Sequence, residues 1–179
     1  MQRRLFLGMI AVLPFATGAR AATAHDFTFE AIEGGPLPLS RFAGRPVLVV
    51  NTASFCGYTP QYTALQALYD RYRDRGLVVL GVPSDDFGGQ EYDTAGQVEE
   101  FCEVNFSIDF PMTDITRVRG SAAHPFYVWA REVLGARSAP SWNFHKYLIG
   151  PDGQAVTAFG TRIKPDAPEI IGAIEDLLP

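Results

Sequence analysis

Cys56 and Cys102 are the only thiols in the 179-residue chain, so any sulfur chemistry must be theirs. Cys56 lies in Asn51-Thr52-Ala53-Ser54-Phe55-Cys56-Gly57-Tyr58-Thr59-Pro60-Gln61, six residues after the end of an apolar run and just ahead of a helix-start signal. A thiol at the amino terminus of a helix feels the positive end of the helix dipole, which favours the thiolate. A free thiol with a pKa of about 8.5 is only a few per cent ionised at neutral pH, and the thiolate is the nucleophile. Gly57 leaves room for a small substrate to approach. The competing reading of Cys56 is a buried, inert cysteine serving as a small apolar residue. The chain has no Cys-x-x-Cys pair, which argues against general thiol–disulfide exchange. His25, His124 and His145 are scattered without the Cys/His spacing of a zinc site, so no metal and no cofactor are expected; His145 reads as a solvent-exposed strand residue.

The elements that must position Cys56 follow from hydrophobic patterning. Pro46-Val47-Leu48-Val49-Val50 and Leu77-Val78-Val79-Leu80 are short, continuous and β-branched, as central parallel strands buried on both faces read. Between them Tyr62, Leu65, Leu68, Tyr69 and Tyr72 recur at helical spacing, with Thr59 expected to cap and Pro60 at the first helical position. This is a right-handed βαβ unit, and it puts Cys56 at the carboxyl end of the first strand, where open α/β sheets do chemistry. Phe27 to Leu39, around Gly34-Gly35-Pro36, reads as an amino-terminal hairpin. A helix over about 95–104 should bury Val98, Phe101 and Cys102, and another over 122–134 should bury Phe126, Val128, Trp129 and Val133. A second hairpin turns at Gly150-Pro151-Asp152-Gly153, and a final helix spans 168–178. The sum is a three-layer α/β/α sandwich.

Three segments in order then carry a resemblance. Asn51 to Gln61 is similar to the peroxidatic loop of the glutathione peroxidase family, whose pattern runs Asn-x-Ala-Ser-x-Cys-Gly-x-Thr. Gly81-Val82-Pro83-Ser84-Asp85-Asp86-Phe87-Gly88-Gly89-Gln90-Glu91 resembles its second loop, and Ser141-Trp142-Asn143-Phe144-His145-Lys146-Tyr147-Leu148-Ile149-Gly150 its third. The likeness runs from about Asp26 to the last helix. It implies a thioredoxin-like fold with a central mixed sheet and a thiol peroxidase acting on hydrogen peroxide and organic hydroperoxides. Carried over by position, Cys56 would be the peroxidatic nucleophile, and Trp142 and Asn143 would donate hydrogen bonds to the thiolate and the peroxide oxygens. Asp86 stands where the family has Gln. An ionised aspartate accepts but cannot donate, and its charge opposes thiol ionisation; it could act protonated, as a donor, or as a general base, the alternative being that it points to solvent and a backbone amide does its job. Gln90 matches the Gln-Glu pair that follows the catalytic Gln in the family, so it is set aside as a substitute. Cys102 matches the resolving cysteine of the thioredoxin-using members, implying a Cys56 sulfenic acid that condenses to a disulfide, reduced by a thioredoxin-like protein rather than glutathione. No arginine cluster specific to glutathione is recognisable. The short segment between 134 and 142 resembles the compact relatives, for which a monomer is expected.

Residues 1–24 read as a cleavable signal peptide, with Arg3 and Arg4, an apolar run from Leu5 to Phe15 and small residues ending Ala19-Arg20-Ala21, so that cleavage is expected after Ala21 or Ala24. Arg3-Arg4-Leu5-Phe6-Leu7 also resembles a twin-arginine signal. The run is shorter than the roughly 20 residues that span a bilayer, so no stable membrane association is expected, the alternative being an uncleaved anchor. The peroxidase-like domain is then 25–179, periplasmic or otherwise exported. The whole chain carries 15 basic and 20 acidic side chains; losing the leader takes three arginines and leaves a charge of −8, which excludes nucleic acid as a principal partner. Export opens another reading of the cysteines. A permanent Cys56–Cys102 disulfide would stabilise by roughly 4 kcal/mol through loop closure, in a catalytically weak redox sensor or binding module.

Overall fold

The computed structural model describes residues 21–179, so the expected leader lies almost entirely outside the described residues. Strand β3 (Val47–Thr52) is buried at all six positions, as a doubly covered β-branched run requires. It pairs in parallel with β4 (Val78–Pro83) and antiparallel with β5 (Lys146–Ile149), which pairs antiparallel with β6 (Ala155–Phe159). The order β4-β3-β5-β6 is a mixed sheet. Strand β4, expected to be central, is the outer strand of this sheet. Its free edge is covered: Gly81 donates to Pro111 O and its carbonyl accepts from Thr113 N–H. A Cβ at Gly81 would meet Met112 and Phe110 side-chain carbons at 3.2 Å, so the close approach depends on glycine. The amino-terminal hairpin, β1 (Thr28–Glu30) with β2 (Pro36–Pro38), is joined to the same covering segment through Ile32 N–H to Met112 O and Asp114 N–H to Glu30 O.

Alternation along the strands sorts the helices onto two faces. Leu48, Val50, Val79 and Leu148 share one core with α1 (Gln61–Tyr72), α2 (Ala95–Phe106) and α4 (Pro168–Glu175), through Tyr62, Leu65, Val98, Cys102, Ile170 and Ile174. Val47, Val49, Leu80 and Tyr147 share the other with α3 (Pro125–Leu134) and the hairpin, through Phe126, Trp129, Phe29 and Leu37. Truncating a fully buried aromatic such as Tyr62 or Phe126 to alanine would cost about 3–5 kcal/mol. Two helical faces differ from the expected pattern. Phe101 and Val128 are only half-buried and Val133 is exposed, because each helix packs on the sheet with a stripe centred on Val98–Cys102 or Phe126–Ala130. No helix among the described residues is long and apolar enough to cross a membrane.

Candidate active site

The loop between β3 and α1 is wound tightly around one threonine. Thr59 Oγ1 accepts from Cys56 N–H at 3.1 Å and donates to Ala53 O at 2.8 Å, and Thr59 N–H donates to Cys56 O. Thr59 therefore staples the loop instead of capping the helix. Pro60 takes the N-cap position, and α1 begins at Gln61. Tyr58 N–H donates to Cys56 Sγ at 3.4 Å, giving the sulfur a backbone donor of the kind that stabilises negative charge. Cys56 is 6% exposed and is a free thiol.

The turn carrying Trp142 and Asn143 is pinned to the same end of the sheet. Asn51 Nδ2 donates to Trp142 O, Phe144 N–H donates to Asn51 O at 2.6 Å, and Thr161 Oγ1 donates to Asn143 O at 2.7 Å. Phe144 has φ of 60°, a left-handed conformation unusual for an aromatic residue. Its complete burial and edge contact with Tyr62, ring centres 5.4 Å apart, hold it there. Trp142 is 39% exposed, with its ring 5.8 Å from that of Phe87. Asn143 is fully buried, and its Nδ2 donates to Gln90 Oε1 at 3.1 Å. Gln90 also accepts at its main-chain carbonyl from Phe55 N–H, beside Cys56. Next to it, buried Glu91 accepts from Ser54 and Tyr92 N–H, and burial raises its carboxyl above the ordinary carboxylate range. Residues 90 and 91 thus clasp the cysteine loop to the Trp142–Asn143 turn. Only the resemblance to a Gln-Glu pair marked them in the sequence.

Asp86 is engaged elsewhere. Its side chain is 4% exposed; Oδ1 accepts from Arg117 at 2.9 Å, and Oδ2 accepts from Val118 and Arg119 N–H at 2.6 and 3.1 Å. It neither points to solvent nor bonds to the cysteine loop. Cys102 lies in mid-α2, 1% exposed and also a free thiol, in the same core as Cys56. Burial raises its pKa to about 11, with the fully buried Tyr62 hydroxyl beside it. The structure thus gathers Cys56, Trp142 and Asn143 at one end of the sheet, keeps Cys102 under the helix surface, and ties Asp86 to 117–119. His145 is buried at 5% exposure against Tyr147, and burial lowers its pKa to about 4, so it is not the solvent-exposed strand residue expected. Among the described residues no cluster of three or more His, Cys, Asp or Glu could hold a metal ion.

Two clefts of about 560 Å³ each open beside the loop, meeting at Tyr58 and Arg162. One runs from Gly57 along α1 to Ile171, largely apolar through Ala64 and Leu68, with Arg162 and Lys164 at its border. The other is lined by Trp142 and Thr161. Cys56 lines neither, but the two residues that follow it do.

A family profile described as Glutathione peroxidase matches residues 24–131. The chain is 42% identical over 164 residues to the hydroperoxy fatty acid reductase gpx1 of Synechocystis sp., covering 87% of this chain and 96% of that one. It is 42% identical over 150 residues to the glutathione peroxidase-like peroxiredoxin GPX5 of Chlamydomonas reinhardtii, covering 82% and 93%. The crystal structure of Trgpx in apo form superposes with a TM-score of 0.69 at 32% identity, over 89% of this chain and all of that one, and shares the thioredoxin-like fold.

Proposed function

The chain belongs to the glutathione peroxidase family and is a thiol peroxidase that reduces hydroperoxides, and from that premise we propose that Cys56 is the attacking sulfur and Cys102 the thiol that resolves it. The observation that carries this assignment is the Tyr58 N–H donated to Cys56 Sγ, in a loop clasped to Trp142 and Asn143. The Cys56 thiolate attacks the outer oxygen of RO–OH; the S–O bond forms as the O–O bond breaks. Sulfur is oxidised by two electrons to Cys56–SOH, and the leaving RO⁻ takes a proton to become ROH. The Trp142 indole N–H, which bonds to no group among the described residues, and the second Asn143 N–H are the donors for that developing charge. Cys102 then condenses with the sulfenic acid, releasing water. At 1% exposure its thiol must first be uncovered by local opening of α2.

We place organic hydroperoxides bearing an apolar chain among the substrates, supported by the apolar cleft that begins at Gly57 and by the name of the Synechocystis relative. A thioredoxin-like protein is the proposed reductant, in keeping with relatives named peroxiredoxins. The proposed working form is an exported monomer, export resting on the leader pattern of residues 1–24.

Intact-mass analysis after one equivalent of hydrogen peroxide tests the cycle. The native chain should lose two hydrogens as a disulfide forms, and Cys102→Ser should instead gain one oxygen. A disulfide present before peroxide, or peroxide consumption no faster than that of Cys56→Ser with reductant present, overturns it.

A further inference from the structure

We infer that Gln90 is a catalytic residue of this site, donating a hydrogen bond from its side-chain amide to the peroxide as the O–O bond breaks. The inference rests on Cys56 being the attacking sulfur and extends that reading to a residue the sequence motif leaves without a role. Breaking RO–OH places a full negative charge on the departing oxygen, and each donor aimed at that charge in a partly dry site lowers the barrier. Asp86 contributes none. As a carboxylate it can only accept, and both its oxygens are taken by Arg117, Val118 and Arg119.

Gln90 is held at two points that straddle the reaction. Its carbonyl accepts Phe55 N–H at 2.9 Å, one residue before Cys56, and its Oε1 accepts Asn143 Nδ2–H at 3.1 Å. With Oε1 fixed, the planar amide has its NH₂ fixed too, and that NH₂ bonds to no group among the described residues although the residue is half-buried. The approach to it is built for position. Gly88 and Gly89 have φ of 82° and 64°, two successive left-handed residues that return the chain from β4 to the cysteine loop. The clasp itself uses the main-chain carbonyl for Phe55 and Oε1 for Asn143, and leaves the NH₂ half of the amide unengaged.

Two variants in a Cys102→Ser background, where Cys56 is the single thiol, separate donation from positioning. Gln90→Met keeps size and charge but removes donor and acceptor. Gln90→Glu keeps the acceptor for Asn143 and removes the donors. The second-order rate of Cys56 oxidation by hydrogen peroxide, read by rapid quench and mass analysis, is compared with alkylation by iodoacetamide, which has no O–O bond to break. Both variants should be oxidised about 10- to 100-fold more slowly relative to their own alkylation rate; a fully enclosed donor costs about 10²–10³, and water replaces part of a half-exposed one. Oxidation unchanged in either variant overturns the proposal, since an acceptor role alone would spare Gln90→Glu. So does a parallel fall in oxidation and alkylation, the mark of a displaced loop. If the Gln90 variants behave like their parent while that parent still outpaces Cys56→Ser, only the Gln90 assignment is lost; if the parent itself is no faster than Cys56→Ser, the Cys56 reading falls with it.

Discussion

The Asp86 carboxylate is saturated by three donors, two of them backbone N–H groups of residues 118 and 119, and it fixes the segment leading to α3. Charge-assisted bonds from a nearly enclosed carboxylate are the strong ones, and removing their acceptor strands the donors. Arg117 is 69% exposed and adds little. Restoring the family residue with Asp86→Gln is therefore expected to destabilise the fold by about 2 kcal/mol in urea unfolding, through the two backbone N–H groups. It should also leave the rate of Cys56 oxidation within about threefold of native, because position 86 faces 117–119. A large rate gain from this single change would mean that position 86 does reach the peroxide. The motif alignment alone could not have revealed this. It correctly flags the Asp-for-Gln exchange but carries no information about which way a short side chain turns, and the partners at 117–119 have no local signature.

Elements were legible where one period dominates a segment. The β-branched runs of β3 and β4, the helical spacing of Tyr62, Leu65 and Leu68, and the Gly150–Gly153 turn each follow from local chemistry. The edge position of β4 was not legible, because the covering strand partner is an isolated bridge around Met112, too short to show a pattern. Nor was the Thr59 staple, since a threonine before a proline reads equally as a cap. The same limit applies to the amino-terminal strap. Ala22 O accepts from the Trp129 indole N–H at 3.1 Å, buried Ala24 donates to Gly153 O at 2.8 Å, and Ala24–Asp26 forms a short 3₁₀ turn. Cleavage after Ala24 would discard both bonds, whereas cleavage after Ala21 keeps them. Protein recovered from the exported fraction of an expressing bacterium should thus begin at Ala22 by amino-terminal mass analysis. A start at His25, or an intact leader, would contradict the strap as part of the mature fold.

At the scale of the molecule, a buried polar column runs beside the site and makes stability depend on pH. Lys146 is fully buried in β5 and, among the described residues, donates only to neutral oxygens, Gln61 Oε1 and Ile163 O, both at 2.6 Å. Gln61 in turn donates to Thr161 O, and Thr161 donates to Asn143 O, so this column supports the turn that carries the Asn143 amide. Burial lowers the Lys146 pKa to about 7 from an ordinary value of 10.5. Between those values the unfolded chain holds a proton that the folded chain has released, so stability rises with pH through the window and is lost as pH falls towards 7. One proton is worth about 1.4 kcal/mol per pH unit, so urea unfolding should gain roughly 2 kcal/mol between pH 7 and 9. Above about pH 9 the rise levels off: burial holds the Cys102 thiol at about 11, so the unfolded state sheds that proton first and offsets the Lys146 gain. Lys146→Met removes the titrating group and should flatten the rise between pH 7 and 9 to within about 0.5 kcal/mol, whatever the cost of leaving Gln61 and Ile163 without their donor. Parallel curves for native and variant chains would show that Lys146 stays charged in the fold. The column would then have to hold an ammonium ion on two neutral oxygens with no carboxylate bonded to it, an arrangement that desolvation strongly disfavours.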